Sequence, residues 1–233
     1  MYTPRLRHLV VLAYSAWLCV SCSLPDTIST HLLATSTPAS DPETCLPTTT
    51  EQETALVTRI VDGDTIEVSL DGQTHIVRYI GIDTPEAYED LYAQAAVMNY
   101  ALVFNQQVIL IKDVSETDRY GRLLRYVLVN DTFVNYEMVK QGYARAYTYP
   151  PDVACAEMFA SAEQQARQAQ MGLWAPTTWT FQEQNCDPSY PTVCIPVPPP
   201  DLDCRQIPHR NFLVLPPDPH RFDGDKDGVG CEK

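Results

Sequence analysis

The sequence predicts an α+β protein centred on a small closed β-barrel with helices at its side. Between residues 55 and 80, apolar residues alternate with polar ones, as in strands that bury one face. A segment with helical spacing of apolar residues interrupts this pattern after the third strand, and two more strands and two more helices follow. Five short strands with an inserted helix favour a barrel over an open sheet.

The first three predicted strands form a meander. They carry the sequences LVTRIV, TIEVSL and QTHIVRYI, and Asp71-Gly72 joins the last two as a two-residue hairpin turn. Counting outward from this turn places Thr65 opposite Arg78. Because the side chains of a strand alternate between its two faces, this register decides which polar groups meet at the end of the hairpin.

The remaining elements follow in order. An Ala-rich helix is predicted from about Tyr88 to Phe104, followed by the strands QVILIKD and RLLRYVLV. VNYEMVKQG predicts a short helix that ends at Gly142, and CAEMFASAEQQARQAQMG predicts a longer one that ends at Gly172. We interpret Arg125, within the fifth strand, as part of a solvated face.

Composition divides the chain into five predicted regions. The 233 residues are 45% apolar, enough for a packed core, and the 19 prolines crowd before residue 50 and after residue 175. The predicted regions are a signal peptide (1–22), a disordered Ser/Thr/Pro-rich tether (23–54), the barrel domain (55–176), a Pro-rich linker (177–200) and a small C-terminal module (201–233).

The first region has the order of a secretory signal. Arg5 and Arg7 precede an apolar run from Leu9 to Val20, and small residues follow. The ending LCVSC resembles a bacterial lipoprotein cleavage site, at which Cys22 would carry a lipid, although its first Cys replaces the usual Leu. Export is therefore predicted, with free secretion and membrane anchoring through Cys22 as open alternatives.

An oxidising compartment changes how the cysteines are interpreted. Setting aside Cys19 and Cys22 leaves six of the eight cysteines, an even number that predicts disulfides. Sequence alone allows many pairings of six cysteines. We favour bridges between cysteines that are close in sequence, Cys186–Cys194 and Cys204–Cys231. Elimination then leaves Cys45–Cys155 as the third pair.

Two carboxylates and one backbone carbonyl are predicted to meet at one end of the barrel. Asp64 enters the second strand, and Asp83 lies just past the end of the third strand, with which the second pairs. Pro85 keeps Thr84 out of the helical region, which can turn the Thr84 carbonyl to the same side. Such hard oxygens suit calcium or magnesium. Asp64 alone could instead cap a turn.

Further charged residues supply what phosphodiester hydrolysis needs. The segment TDRYGR contributes Arg119 and Arg122, and the third strand contributes Arg78. Attack by water requires that the growing negative charge be neutralised and that the water lose a proton. Guanidinium groups and a cation could do the first, and the Glu86 carboxylate could do the second.

Across about residues 55–175 the sequence resembles the thermonuclease family, the staphylococcal nuclease type. The matching stretches are VDGDTIEV, VRYIGIDTPE, TDRYGR, VNYEMVKQGYARAYTY and the MGLW ending. Several motifs in the family's order are more specific than any one of them. The resemblance implies an OB-type five-stranded barrel with three helices, and calcium-dependent cleavage of DNA and RNA with release of 3′-phosphorylated products.

The same resemblance implies roles for residues that hold the ion, act on the phosphate or bind the nucleotide. The calcium ligands would be Asp64, Asp83 and the Thr84 carbonyl. The catalytic residues would be Arg78, Glu86 and Arg122, with Glu86 as general base. Arg119, Tyr147 and Tyr149 would bind substrate, although the alternation of the two tyrosines also fits strand packing.

The C-terminal stretch PHRFDGDKDGVGCEK contains a second candidate metal site. Asp223, Asp225 and Asp227 with Gly228 follow the D-x-D-x-D-G opening of a calcium loop. An EF-hand has its bidentate Glu at position twelve, whereas Glu232 stands at position ten. The pattern instead resembles the excalibur domain, over about residues 201–233, which implies extracellular calcium binding. A merely solvated acidic tail is the alternative.

The net charge of −14 disfavours attraction of nucleic acid, and bound calcium and a local arginine cluster would offset it. The sequence predicts a monomeric, secreted or surface-anchored bacterial nuclease that hydrolyses DNA and RNA by calcium-assisted attack of water. The alternative is a non-catalytic calcium-binding surface module whose barrel binds nucleic acid or protein. Glu86 and Arg122 favour the enzyme, because a binding module needs neither.

Overall fold

The computed structural model describes residues 42–48, 50, 52–87, 89–176 and 185–232. The predicted signal peptide, the lipidation site at Cys22, most of the tether and residues 177–184 of the linker lie outside the described residues. Within the described part of the chain, no helix is both long enough and apolar enough to cross a membrane.

Five strands close into a barrel. They are β1 (Gln52–Ile60), β2 (Thr65–Leu70), β3 (Gln73–Tyr79), β5 (Gln107–Ile111) and β6 (Leu123–Val129). The strand order is β3-β2-β1-β5-β6, and a parallel pairing of β3 with β6 closes the sheet. The other neighbours are antiparallel. The predicted OB-type barrel is confirmed.

Short strands and three α-helices complete the architecture. The short strands are β4 (Ile82–Asp83), β7 (Thr132–Phe133), β8 (Arg145–Ala146), β9 (Phe212–Leu213) and β10 (Val229–Gly230), and the helices are α1 (Tyr92–Val103), α2 (Val134–Lys140) and α3 (Ala156–Gln168). Helix α1 begins later than predicted. Leu91 has a left-handed backbone with φ of 69°, which an α-helix cannot include, so the helix starts after it.

The turn between β2 and β3 fixes the register that builds the site. Both residues of the Asp71-Gly72 turn have positive φ, at 50° and 77°, as the tightest hairpin turns require. Thr65 faces Arg78, as predicted. The Tyr79 backbone N–H donates to the Asp64 carbonyl at 2.9 Å, which extends the pairing one residue beyond β2. Asp64 and the end of β3 are therefore neighbours.

The prediction that Arg125 lies on a solvated face is wrong. Its side chain is 2% exposed, and Nε lies 2.8 Å from Glu53 Oε2. The guanidinium also pairs with Glu116 and donates to two backbone carbonyls. Alternation along a strand identifies the face of a side chain, but it does not show that the loop around Glu116 covers that face.

The C-terminal residues 185–232 form a small module with little regular structure and an apolar cluster of their own around Tyr190, Phe212 and Phe222. The structure joins the expected cysteine pairs, Cys45–Cys155, Cys186–Cys194 and Cys204–Cys231. The first of these bridges ties the segment before β1 to the start of α3. The other two lie within the module, which is too small for its apolar cluster to be its sole source of stability.

The C-terminal module packs directly on the barrel. Leu213 and Leu215 are buried, and they belong to the same apolar core as the barrel strands. The Tyr92 hydroxyl of α1 donates to the Pro216 carbonyl at 3.4 Å. A buried leucine side chain contributes roughly 1.5–3 kcal/mol relative to exposure, so these contacts hold the module against α1.

Candidate active site

Asp64 is a buried carboxylate with a fixed orientation. Its side chain Oδ2 accepts hydrogen bonds from Thr84 N at 2.8 Å and Thr84 Oγ1 at 3.0 Å, and Oδ1 accepts one from Thr65 Oγ1 at 3.2 Å. Asp62 Oδ1 accepts from the Asp64 backbone N–H at 3.0 Å. Gly63 lets Thr84 approach, because a Cβ at Gly63 would lie 2.8 Å from Thr84 Oγ1. Asp64 is 4% exposed.

Arg78 joins the two predicted metal-binding acids. One guanidinium nitrogen lies 3.0 Å from Asp64 Oδ2, and the other lies 3.0 Å from Asp83 Oδ1. The guanidinium also donates to the carbonyls of Tyr79 and Ile82, at 3.0 Å each. The structure thus brings Asp64, Arg78 and Asp83 together, with the Arg78 guanidinium bonded to both acids.

The electrostatics of this cluster leave it short of positive charge. Burial raises the pKa of Asp64 to about 6, which the Arg78 guanidinium only partly counteracts, and the Asp62 carboxylate raises it further. Burial also raises the pKa of Asp83, again against the effect of Arg78. Arg78, together with Arg145 beside Asp83, does not fully offset the burial and mutual repulsion of these carboxylates. A further positive charge at this position would stabilise their ionised forms.

The donor atoms here fit a hard divalent cation. The Asp64 and Asp83 carboxylates and the Thr84 carbonyl offer oxygen and no sulfur or imidazole nitrogen, which matches calcium or magnesium. Asp83 is 42% exposed at its side chain, so an ion with bound water can reach it from solvent. The residues present therefore suit the ion that the sequence predicted.

Glu86 is exposed and follows Asp83 and Thr84 closely in the chain. Its backbone N–H donates to Glu89 Oε2 at 2.8 Å, and its backbone carbonyl accepts from the Glu89 N–H at 2.9 Å, which fixes the turn before α1. The Glu86 side chain lines a cleft together with Asp62. A carboxylate that is open to solvent and lines the same cleft as Asp62 has the chemistry of a proton acceptor.

Arg122 stands where β6 begins. Because β6 runs parallel to β3, with Leu124 opposite Arg78, the loop residue Arg122 lies at the same end of the barrel. Asp118 holds it: the Asp118 carboxylate accepts from Arg122 Nε at 2.7 Å and from Arg122 N at 3.0 Å. This pair fixes the direction of a guanidinium that remains partly exposed.

Three residues of this end were not singled out from the sequence. Tyr120 is 69% exposed, and the guanidiniums of Arg119 and Arg122 lie 4.7 and 5.6 Å from its ring centroid. Arg145 pairs in register with Asp83, and Asp62 lies beside Asp64. Tyr120 stands between the two arginines of TDRYGR, a signal that sequence reasoning could have used.

Tyr147 and Tyr149 form an exposed pair of rings. Their centroids are 6.5 Å apart with an interplanar angle of 13°, and both side chains are exposed. The Tyr147 N–H donates to the Gly81 carbonyl at 2.9 Å, which keeps this segment beside β4 and Asp83. Packing into the core does not explain these tyrosines. Exposed parallel rings next to a charged site are typical of surfaces that stack nucleobases.

The second candidate metal site lies in the C-terminal module. Carboxylate oxygens of Asp223, Asp225 and Asp227 lie within 4.8 Å of one another. The Asp223 carboxylate accepts from three backbone N–H groups that follow it, at 2.7–3.1 Å, which curls the loop. Glu232 lies outside this group of three, and the Asp227 carboxylate is the first cause that raises its pKa.

Comparison with known proteins agrees with this geometry. A family model described as "Staphylococcal nuclease homologue" matches residues 76–176. The chain is 39% identical over 129 residues to the "Thermonuclease" of Staphylococcus intermedius, covering 52% of this chain and 76% of that protein. It is 35% identical over 130 residues to the "Thermonuclease" of Staphylococcus hyicus, covering 53% and 77%. It is 37% identical over 125 residues to the "SPbeta prophage-derived endonuclease YokF" of Bacillus subtilis, covering 50% and 42%.

A closed OB-type barrel with acids, arginines and exposed tyrosines at one end is the framework of a hydrolytic nuclease, and the similarity to named nucleases supports that class over a non-catalytic binding module. The chain belongs to the staphylococcal nuclease homologue family. Its substrate class is therefore nucleic acid.

Proposed function

We propose that this nuclease depends on calcium, is exported by a bacterium, and hydrolyses phosphodiester bonds of both DNA and RNA. The observation that carries the proposal is a pair of acids on one guanidinium, of which Asp64 is buried and Asp83 half-buried: each lies 3.0 Å from an Arg78 nitrogen. Burial of a carboxylate without full charge compensation destabilises a protein, so such a pair is typical of a functional site.

The residues of the site divide the chemistry among themselves. Asp64, Asp83 and the Thr84 carbonyl would hold the cation. When bound, calcium supplies positive charge beside the reacting phosphate and polarises its oxygens. Glu86 accepts a proton from the attacking water as the new phosphorus–oxygen bond forms. The bond to the 5′ oxygen then breaks, which leaves a 3′-phosphate and, after protonation by solvent, a 5′-hydroxyl group.

Guanidinium groups neutralise the charge that grows on the phosphate. Arg122, whose Nε lies 2.7 Å from Asp118 Oδ2, would supply one planar donor group. Arg78 supplies a second where it meets the acids. Removal of one charge-stabilising donor typically lowers the rate of such a step by about two or three orders of magnitude.

Exposed aromatic rings are suited to hold the nucleotide. Tyr147 and Tyr149 present parallel faces, and Tyr120 lies under Arg119. Stacking on such a ring contributes about 1–3 kcal/mol per base and requires an unpaired base. We therefore expect single-stranded substrates to be cleaved faster than duplexes.

We further propose that the C-terminal loop of Asp223, Asp225 and Asp227 holds a second calcium ion, with Glu232 as an outer ligand. The support is the clustering of three carboxylates on a loop whose backbone curls around Asp223. A bound ion would relieve the mutual repulsion of these carboxylates. Calcium binding by this loop is also what the resemblance of the sequence to the excalibur domain implies.

Export is the remaining part of the proposal. Three disulfides within the described residues suit an oxidising compartment outside the cytosol. The protein would act as a monomer, either free or attached through a lipid on Cys22. Replacement of Cys22 by Ala, followed by fractionation of expressing cells, separates these alternatives, because loss of lipid releases the protein from the membrane.

One experiment tests the enzymatic proposal. Single-stranded DNA and RNA are incubated with the protein in calcium, in magnesium and in excess chelator. Cleavage in calcium that stops in chelator supports the proposal. Cleavage that continues in chelator contradicts the assignment of Asp64 and Asp83 as metal ligands.

A further inference from the structure

The C-terminal module reaches the candidate active site. A cleft of about 380 Å³ opens beside the Glu86 side chain. Its other lining residues come from the barrel side (Val61, Asp62, Ala87 and Tyr92) and from the module (Pro216 and Pro217). We call this space the proline cleft. A segment distant in sequence therefore forms one wall of the space next to the proposed general base.

The proline cleft suits an uncharged group. None of the described residues that line it is Arg or Lys, and the Asp62 and Glu86 carboxylates there would repel a phosphate. Proline rings and the side chains of Val61 and Ala87 offer apolar contact, and the two carboxylates can accept hydrogen bonds from amino groups. The cleft is shallow and open to solvent, which suits one nucleoside of a longer strand better than an enclosed small ligand. A nucleoside has this combination of an apolar face and donor edges.

A second cleft of about 470 Å³ lies on the module side of the same prolines, and we call it the basic cleft. Its lining includes the cations Arg59, Arg221 and Lys226. Arg221 and Lys226 are exposed, and neither forms an ion pair within the described residues. Arg59 is already paired with Glu67 at 2.9 Å. The Arg221 guanidinium and the Lys226 ammonium group are thus available to an anion.

The carboxylates in the basic cleft are occupied by the module's own backbone and side chains. Asp218 accepts from the Tyr190 hydroxyl at 2.8 Å and from two backbone N–H groups at 3.1 Å. Asp223 accepts from the three N–H groups of its loop. Arg221 and Lys226 are exposed. A calcium ion bound by the carboxylates of the Asp223 loop would offset the acids beside Lys226, so that a phosphate suits the two cations.

Contacts with both the barrel and the module fix the segment that carries Pro216 and Pro217. Leu213 and Leu215 are buried in the barrel core, and Pro216 accepts the hydrogen bond from Tyr92. On the module side, Val214 N donates to the Gly228 carbonyl at 2.8 Å, beside the pairing of β9 with β10. Pro216 and Pro217 directly follow this anchored segment in the chain. The contacts on both sides of the segment therefore fix the two prolines next to Glu86.

We propose that the C-terminal module extends the substrate-binding surface of the nuclease: the proline cleft takes one nucleoside next to the scissile phosphate, and the basic cleft takes the following phosphate. A cleaved strand has nucleotides on both sides of its scissile bond. Arg119, Arg122 and the exposed tyrosines serve one side and line neither cleft. The module then serves the other side. This inference rests on the proposed function, since it needs a nucleic acid strand at Glu86.

The extension explains how a chain of net charge −14 can hold a polyanion. Attraction depends on the cations that lie along the path of the strand and not on the sum over the whole surface. Two phosphate-facing cations in the module add to the arginines of the barrel.

The test compares variants on substrates of increasing length. Single-stranded oligonucleotides with one scissile linkage are extended by one nucleotide at a time on either side, and kcat/KM is measured for each. In the wild-type protein, extension on one side should raise kcat/KM in a step as the strand reaches the clefts. The double variant Arg221→Gln and Lys226→Gln should lose about tenfold on the extended substrates, and nothing on the shortest one.

Arg205→Gln is the matched control, because Arg205 is an exposed arginine of the same module that lines neither cleft. It should retain the wild-type step. The proposal would be overturned if kcat/KM rose equally with substrate length in the double variant and in the wild-type protein. It would also be overturned if Arg205→Gln lowered kcat/KM on the extended substrates as much as the double variant does. Absence of cleavage for all lengths would instead contradict the proposed function itself, so the two failures are distinguishable.

Discussion

The molecule contains two acidic clusters that are built in different ways. Asp64 and Asp83 come from separate strand ends, are held by one guanidinium, and include a carboxylate that is 4% exposed. Asp223, Asp225 and Asp227 lie on one short loop, close to solvent, and backbone N–H groups shape it. The barrel cluster therefore depends on the whole fold and opposes its stability, whereas the loop is local. We expect the first to control chemistry and the second to control stability in calcium.

The largest expected difference is in the rate of cleavage, between substitutions at the barrel end, where the first cluster lies, and substitutions in the module loop. Glu86→Gln and Arg122→Ala should each lower kcat by about two or more orders of magnitude, because they remove the proton acceptor and a charge-stabilising donor. Asp223→Asn should change kcat by less than a factor of about three, because Asp223 belongs to neither the barrel acids nor Glu86 and Arg122, and any effect on the basic cleft that it lines appears in KM. Steady-state assays on single-stranded DNA measure both.

Glu157→Gln provides the control for this comparison, since Glu157 is an exposed acid on α3. Its kcat should equal that of the wild-type protein. A wild-type rate in Glu86→Gln would remove Glu86 from the role of general base.

The next effect concerns stability as a function of pH in the presence of chelator. The pKa of Asp64 is raised from 3.8 to about 6 in the folded protein, chiefly by burial. The folded state then binds more protons than the unfolded state, so the free energy of unfolding falls as pH rises from about 4 to about 6. The fall should reach roughly 3 kcal/mol, and Asp64→Asn should abolish most of it. Urea unfolding at a series of pH values measures this slope.

Asp225→Asn sharpens the same comparison. Because Asp225 lies exposed on the module loop, its replacement should leave the pH slope of the wild-type protein in place. Equal slopes in Asp64→Asn and the wild-type protein would contradict the burial of an uncompensated carboxylate at the barrel end.

A smaller effect is expected from calcium itself. An ion that binds only the folded chain stabilises it by about 2.7 kcal/mol at a concentration one hundred times its Kd. Replacing Asp223, Asp225 and Asp227 together by Asn should remove this gain for the module while leaving kcat at saturating substrate and calcium intact. Thermal unfolding with and without calcium tests the prediction. A module variant that keeps the full calcium shift would show that the loop binds no ion.

The smallest expected change lies at the exposed tyrosines. Tyr149→Leu should lower kcat/KM on single-stranded DNA by about tenfold, in line with the loss of one base-stacking contact. Tyr149→Phe retains the ring and should behave as the wild-type protein does. If both substitutions lower kcat/KM equally, the hydroxyl and not the ring face binds the substrate.

The sequence predicted most of the barrel and the assembly of its acidic end. The reason is local: Asp71-Gly72 admits one tight turn, this turn fixes which residues pair, and the register brings Asp64 beside the end of the strand that leads to Asp83. The loop of Asp223 was equally visible, since its residues are adjacent in sequence. Features that depend only on neighbouring residues or on one hairpin can be deduced without a structure.

Long-range packing was not predictable in the same way. Arg125 is covered because a loop residue, Glu116, and a residue of β1, Glu53, close over it. The docking of Leu215 into the barrel core likewise joins segments far apart in sequence. Hydrophobicity indicates that such a residue will be buried, but it does not indicate which partner buries it. The wall that Pro216 forms beside Glu86 is a consequence of that docking.

Calorimetric titration of calcium into the wild-type protein and Asp64→Asn, with cleavage of single-stranded DNA assayed on the same samples, tests the central claim most directly. The account predicts that the variant loses one equivalent of bound calcium and its cleavage activity, while it still binds calcium through the module. A variant that binds as many ions as the wild-type protein, or that cleaves at the wild-type rate, would contradict it.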